Sequence, residues 1–178
     1  MALIKNGQHT EDRWLTLLSG EALPLTGAVI IPLARWADLR EEVLAHAGPL
    51  GLSLEPGDDL GAVLDDLGRF NLISISFPTF KDGRGFSTAR LLRERYGFTG
   101  EVRATGHVIY DQLQFLHRCG FDAVDLPAHL APQDWREALG EISVFYQPTG
   151  DGRQDVVRLR QGQSLPKASP QRYATAAE

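Results

Sequence analysis

FPTFKDGRGFSTARLLRERYGFTGEVRATG, Phe77–Gly106, decides how the rest of the chain is read. It opens where the apolar run Leu72–Phe77 ends. A run of that length, bounded by turn residues, suits a buried parallel strand. A loop follows with Lys81, Asp82, Gly83, Arg84 and Gly85. A helix is expected over Ser87–Arg95, stopped by Gly97. Glu101–Ala104 reads as the next strand. Strand, loop, helix and strand make one βαβ unit, and such units build mainly parallel sheets. The same stretch holds six cations (Lys81, Arg84, Arg90, Arg93, Arg95, Arg103) against three acids (Asp82, Glu94, Glu101). It is therefore net +3 in a chain of net −5, which makes it the cationic part of an acidic protein.

The alternation continues on both sides. Upstream, Ala28–Leu33 is an apolar strand run, and Pro32 marks its end. Ala34–Ala47 has helical spacing, with Trp36, Leu39, Val43, Leu44 and Ala47 on one face, and Gly48-Pro49 stops it. Leu50–Leu54 is a second strand. Asp58 or Asp59 is placed to cap a helix over Leu60–Leu67. Downstream, a helix over His107–Cys119 closes at Gly120. Strands are expected at Asp122–Leu126 and Glu141–Tyr146, with a helix over Pro132–Leu139 between them. Ala2–Lys5 and Arg13–Leu18, joined through the turn signal Asn6-Gly7, read as an N-terminal hairpin within residues 1–18.

The fold class is thus α/β, with about six mainly parallel strands alternating with five helices. Two layouts fit: an open doubly wound sheet or a partial (βα) barrel. Residues 1–148 form a single α/β domain in this reading. Residues 149–178 are polar and read as a mostly flexible tail, with one short strand at Asp155–Arg160.

Composition narrows the function classes. With 178 residues the chain is long enough for one domain with a full core. One cysteine, Cys119, excludes an internal disulfide and any four-cysteine metal or iron–sulfur site. Its place at a helix C-terminus argues against a reactive thiolate. The N-terminus lacks a signal-peptide core, and no run approaches the ~20 apolar residues of a membrane span. A cytoplasmic location is expected, without membrane association. Net acidity argues against nucleic-acid binding.

Ligands of parallel sheets bind beyond the carboxyl ends of the strands. The sequence places Arg35, Glu55, Asp58, Asp59, Lys81, Asp82, Arg84, Arg103, Thr105, His107, Asp125 and His129 there. The loop Phe80–Ser87 has the makings of an anion site. Gly83 and Gly85 permit turns with exposed N–H groups, Ser87 is a candidate helix N-cap, and Lys81 and Arg84 supply charge. It is neither a nucleotide-hydrolase phosphate loop nor a dinucleotide fingerprint. The simpler alternative is a glycine-bearing turn in which Asp82 and Arg84 form a surface pair. Arg90 extends the cationic edge. On the following helix, His107, Asp111, Gln114 and Arg118 share one face, directed either to a site or partner or merely to solvent. His46, His117 and His129 read as surface or loop residues, and no histidine spacing marks a metal site. Phe77, Phe80 and Phe86 read as core lining. No G-x-S-x-G elbow supports a serine hydrolase.

Two motifs carry a family resemblance: F-P-x-F-x-D-G-R-G-x-S-x-A-R-L-L-R, from Phe77, and D-Q-x-x-x-L-x-R-C-G-F-D, from Asp111. Phe77–Leu126 closely resembles the signature of a bacterial domain-of-unknown-function family that carries a sulfite-reduction oxidoreductase label. The resemblance extends more weakly over Trp14–Gln147, including PLARW at Pro32–Trp36 and LEPGDDL at Leu54–Leu60. It implies an accessory role in assimilatory sulfite reduction (sulfur assimilation, cysteine biosynthesis) and a partner, the haemoprotein subunit of sulfite reductase. The docking or anion-binding residues would be Lys81, Asp82, Gly83, Arg84, Gly85, Ser87, Arg90, Arg103, His107 and Asp111. The residues themselves predict no cofactor and no metal, show no self-sufficient redox motif, and leave a flavin on loop 80–87 open. A small-anion carrier or enzyme and a non-catalytic interaction module are the alternatives.

Overall fold

The computed structural model describes residues 2–128, 130–153 and 155–162. The strands are β1 (Ala2–Lys5), β2 (Gln8–Thr10), β3 (Trp14–Thr16), β4 (Ala28–Pro32), β5 (Leu50–Leu54), β6 (Leu72–Phe77), β7 (Glu101–Gly106) and β8 (Ala123–Leu126). The helices are α1 (Trp36–Ala45), α2 (Arg84–Arg90), α3 (Tyr110–Cys119), α4 (Pro132–Glu141) and α5 (Val156–Arg160). A 3₁₀ turn at Leu33–Arg35 precedes α1, a 3₁₀ helix spans Leu60–Arg69, and a wider π turn over Leu91–Arg95 continues α2. Asp59 caps the 3₁₀ helix, its Oδ1 accepting the Gly61 N–H at 2.8 Å. Gly120 ends α3 at φ 102°, a conformation open to glycine without strain.

All eight strands form one sheet, in the order β2-β1-β8-β7-β6-β5-β4-β3. The pairs from β3 to β8 are parallel, and the β1–β2 and β1–β8 pairs are antiparallel. A flat sheet of eight strands would hold its edges about 34 Å apart, at about 4.8 Å per strand. Yet β2 and β3, the two edges, are joined by Glu11, Asp12 and Arg13 alone. Four Cα steps reach at most about 15 Å. The sheet must therefore curl, bringing its edges together while they remain unpaired.

Side-chain alternation then assigns two faces. Ile31, Leu52, Ile73, Ile75, Val102 and Val124 share one face and join Trp36, Val43, Leu60, Val63, Ala89, Leu92, Leu113, Leu116 and Trp135 of the helices in one core. The helices thus lie on a single face, as in a partial (βα) barrel and not as in a doubly wound sheet. The opposite, concave face carries Ile30, Gly51, Leu72, Ser74, Arg103 and Ala123. Arg103 is 2% exposed there although no helix covers it. It donates to Glu101 Oε1 and Asp12 Oδ2, each at 2.8 Å, and Lys5 completes the cluster at 2.8 Å from Glu101 Oε2. The closing link itself, through Asp12, caps this interior.

Three sequence expectations are corrected. The hairpin partner of Ala2–Lys5 is Gln8–Thr10, a tight pairing across Asn6-Gly7. Trp14–Thr16 instead reaches the far edge and pairs with β4. Glu141–Tyr146 is not a strand: α4 runs through Glu141, and Phe145 makes only an isolated bridge to Asp155. Asp155–Arg160 is a helical turn, because Asp155 Oδ1 accepts the N–H groups of Val157 and Arg158 at 2.9 and 3.0 Å. Of the expected tail, residues 149–153 and 155–162 are described, and 163–178 lie outside the described residues.

Arg93 is the main internal tie. It is 2% exposed and forms an ion pair with Asp122. It also donates to the carbonyls of Phe98, Gly100 and Gly120, at 2.7, 2.7 and 2.9 Å. Asp122 in turn accepts the Val102 N–H at 2.9 Å. One guanidinium thus fixes the π turn, the loop into β7 and the loop into β8. Replacing Arg93 by Met leaves a largely buried carboxylate with only the Val102 N–H, and takes the guanidinium from three carbonyls. A loss of about 3–5 kcal/mol is expected in urea unfolding, partly recovered in Arg93→Met/Asp122→Asn.

Candidate functional site

The carboxyl ends of β5, β6 and β7 bring three loops together. Gly106 makes the closest approach. At φ +89°, a Cβ there would lie 2.6 Å from the Phe77 carbonyl oxygen, so only glycine fits. The next residue, His107, donates its backbone N–H to the same carbonyl at 2.6 Å. The His107 ring meets Phe80 edge-on, centroids 5.8 Å apart. Gln112, at the start of α3, donates its side-chain amide to the Phe80 carbonyl at 2.9 Å. Phe80 is thereby braced from two sides while 44% exposed. It was expected in the core; Phe77 and Phe86 occupy that place, packed 5.1 Å apart.

Cations flank Phe80. The Lys81 ammonium lies 5.8 Å from the Phe80 ring centroid. Arg84 forms a two-point pair with Asp82, Nε to Oδ1 at 3.0 Å and Nη2 to Oδ2 at 2.7 Å. The same pairing holds the Asp82 carboxyl below its usual range and the Arg84 guanidinium above its own. Arg84 also reaches across to the loop after β5: a Cβ on Gly57 would lie 3.1 Å from its Nη1.

The anion-loop geometry differs from expectation. The helix starts at Arg84, with Gly83 as N-cap and without a capping side chain, so Ser87 sits inside the helix. Gly85 is buried in the first turn, where a Cβ would lie 2.7 Å from Phe77 Cζ and 3.0 Å from Ile75 Cγ2. It is there for close packing of helix on strand, and it offers no exposed N–H cradle. The Asp82–Arg84 surface pair is the arrangement observed.

Other candidates separate. Lys81, Asp82, Gly83, Arg84 and His107 meet at the carboxyl edge. Asp111 is exposed near the start of α3. Arg90 lies further along α2 and pairs with Glu94 at 3.0 Å. Arg103 is not at the edge, because β7 runs on to Gly106 and leaves it in the concave interior. Thr105 and Asp125 share that face; burial pushes the Asp125 carboxyl up, against the pull of Arg103. Arg35 donates to the carbonyls of Leu18 and Glu21 at 2.9 and 2.7 Å. Asp58 accepts the Glu55 N–H at 2.8 Å. His129 lies outside the described residues.

The polar face expected on α3 holds the chain's own C-terminal segment. Gln114 donates to the Ile142 carbonyl at 3.0 Å. Arg118 is buried, pairs with Asp151 at 2.8 Å, donates to the Gln147 carbonyl at 2.8 Å and stacks 3.7 Å from the Phe145 ring centroid. Nothing in the sequence beyond that helical spacing signalled this anchor. Of the histidines read as surface or loop residues, His46 does lie in the loop after α1, and His117 is on α3; neither is fully exposed. His46 is buried, with Nε2 2.9 Å from the Gly27 carbonyl. His117 packs on Trp135, centroids 6.0 Å apart. Burial pushes the Cys119 thiol up to about 12, with nearby Arg90 and Arg118 opposing. Among the described residues, no group of three His, Cys, Asp or Glu side chains is arranged to hold a metal ion, and no helix is long and apolar enough to cross a membrane.

Two outcomes follow from this geometry. Gly85→Ala is expected to destabilise: overpacking costs about 1–3 kcal/mol, against a helix gain of about 0.5–1. Asp82→Ala removes a pair exposed on its Arg84 side and a hydrogen bond to the first N–H of α2, and is expected to lower the urea midpoint only slightly, well short of the loss in Arg93→Met. His117 supplies a pH test. Burial, and then Arg153, lower its pKa below the ordinary 6.5. A lowered folded value means the unfolded ring takes the proton more readily. This contribution is full above about pH 6.5 and is lost as pH falls through the folded value. His117→Gln should flatten the stability–pH curve in that window.

A comparison with curated proteins finds no match. The family described as bacterial protein of unknown function (DUF934) matches residues 51–157, from β5 to the start of α5 and over more than half of the chain. The chain belongs to this bacterial family, DUF934.

Proposed function

We propose that the protein is an accessory component of assimilatory sulfite reduction that docks on the haemoprotein subunit of sulfite reductase and assists electron delivery to it. The observation that carries this reading is the ridge Phe80–Arg84. An exposed aromatic ring packs edge-on against His107, its backbone carbonyl is held by Gln112, and Lys81 lies beside the ring with Arg84 on the same loop. Aromatic and arginine side chains of this kind dominate the energetics of protein interfaces. The ridge lies inside the Phe77–Leu126 signature whose resemblance implies the sulfite-reduction role. A positive rim steers an acidic partner and sets its association rate.

A second reading is a carrier for a small polar ligand. It draws on the concave face, where Ser74 and Thr105 approach to 3.5 Å above the Arg103 cluster. It no longer draws on loop 80–87, whose Gly85 is buried and whose Arg84 is engaged. A flavin on that loop would lack the N–H cradle on which the idea rested.

The test is co-purification of the tagged protein with the reductase subunit. Arg84→Glu and Phe80→Ala should each abolish it. A deletion strain should fail on sulfate as sole sulfur source and recover with cysteine. Normal growth of that strain on sulfate overturns the reading. A thermal shift with sulfite, phosphate or flavin mononucleotide, without reductase binding, favours the second one.

A further inference from the structure

The curl of the sheet leaves a slot. β2 and β3 are its two edges, joined by Glu11–Arg13 and not paired with each other. Between them the concave face opens to solvent through a pocket of about 310 Å³. That is the lower end for small-molecule sites, which run from about 300 to 1,000 Å³, and it suits one ring system with a short appendage. Leu3 and Thr10 form one wall, and Trp14 forms the other. Gly51 makes room for the second wall: a Cβ there would lie 3.4 Å from Trp14 Cζ3. Arg103 and Glu101 are the floor, their side chains only 2 and 7% exposed.

Charge limits what the slot can take. Six charged side chains line or underlie it, and each has a partner of opposite sign. Lys5 lies 2.8 Å from Glu101, Arg103 bonds to both Glu101 and Asp12, and Arg13 pairs with Glu11 at 3.2 Å. Asp125, next to Leu3 on the same face, has its carboxyl pushed up by burial, towards the neutral form. An ionic ligand therefore meets no unpaired counter-charge. The groups left over among the described residues are uncharged. They are the half-buried Trp14 ring, the Thr10 hydroxyl and a strand-edge carbonyl. The single hydrogen bond of the Thr10 hydroxyl, to the Gln8 carbonyl, is long at 3.4 Å. The Leu17 N–H donates to the Ile30 carbonyl at 2.9 Å, so Leu15 and Leu17 bond to β4 while Trp14 and Thr16 direct their main-chain groups to the open edge. Asp12 Oδ1 takes the Trp14 N–H at 3.2 Å, which leaves the Trp14 carbonyl.

We propose that this slot binds an uncharged heteroaromatic ring, of the kind present in nucleosides and flavins, stacked on Trp14 with its polar edge on the unpaired groups of the two strand edges. Stacking on an aromatic side chain needs no charge and tolerates different rings, since every ring has a π-face. The inference rests on the carrier reading of the concave face, to which it gives an entrance and a ligand class. It is independent of docking through the Phe80 ridge.

The experiment is equilibrium dialysis of the full chain with adenosine and with riboflavin. At least one of them is expected to bind saturably, and which one binds identifies the ring. Trp14→Ala should weaken that binding by about fivefold or more, and Trp14→Phe should retain most of it. Thr10→Trp, which fills the slot from the opposite wall, should abolish it. Circular dichroism checks that the variants keep the fold. The bound ring should also shield the unaltered chain from acrylamide quenching. That signal reports on Trp14, because Trp36 and Trp135 are 3 and 2% exposed. The monophosphate of the bound compound should bind no more tightly than its uncharged parent. Phe80→Ala should bind as the unaltered chain does, while failing in the reductase co-purification. Absence of binding by both compounds, binding indifferent to Trp14→Ala and Thr10→Trp, or tighter binding of the monophosphate overturns the proposal. A thermal shift with sulfite or phosphate, with neither ring compound bound, overturns it too but leaves the carrier reading standing.

Discussion

Three residues, Glu11 to Arg13, set the shape of the molecule. They join the two edges of an eight-stranded sheet, and the sheet must bend until they can. Bending separates a convex face, which the helices cover, from a concave face, which they do not. The convex face reads as continuous apolar runs. The concave face includes small and polar residues such as Gly51, Ser74 and Arg103, because its members crowd towards one another. A Cβ on Gly51 would already lie 2.9 Å from Ile30 Cγ1 and 3.4 Å from the Trp14 ring. The link also supplies Asp12, so the segment that closes the sheet helps neutralise the charge enclosed by closing it.

Enclosed charge is a recurring device here. Arg93, Arg103 and Arg118 are buried, and each ties together segments distant in the chain. A buried ion pair adds little net stability compared with a well-packed apolar pair, but losing one partner is costly. Such pairs therefore act against wrong arrangements: a misplaced loop leaves a naked guanidinium inside. Two of the three arginines come from the cationic stretch Phe77–Gly106. Much of that charge excess is internal, and what faces solvent at the carboxyl edge is mainly Lys81 and Arg84.

The strands and helices of the βαβ units were legible because apolar runs and helical spacing report burial directly. Leu72–Phe77 appears at its expected bounds, and Asp59 and Gly120 cap where their chemistry places them. Curvature stood in the sequence only as one of two layouts, the partial (βα) barrel; choosing it depends on which edges a three-residue link joins, and edge order is a long-range fact. Arg103 was misplaced for a local reason, a strand two residues longer than its apolar core. Gly85 was misread because a glycine needed for close packing and a glycine needed for an exposed amide look alike in sequence. Arg93 sits four residues after Ala89, on the helix face towards the core, and that spacing is the signal that would have found it. Arg118 lies on a shared helical face with Gln114, yet the segment it anchors has no periodicity of its own.

The pairing of the first strand with the last bears on how the chain is made. Ile4 pairs with Val124, so β1 leaves the ribosome long before β8 exists. A two-stranded hairpin is marginal by itself in water, and β1–β2 must wait as one until nearly the whole sheet has been synthesised. Long-range pairings of this kind slow folding, because loop closure precedes any gain from the contact. During synthesis the open edges of β7 and β1, between which β8 will insert, are therefore exposed together. Completion of β8 is the event that converts a growing βα array into a closed-up domain, and chains interrupted before Ala123 are the ones most open to edge-to-edge aggregation.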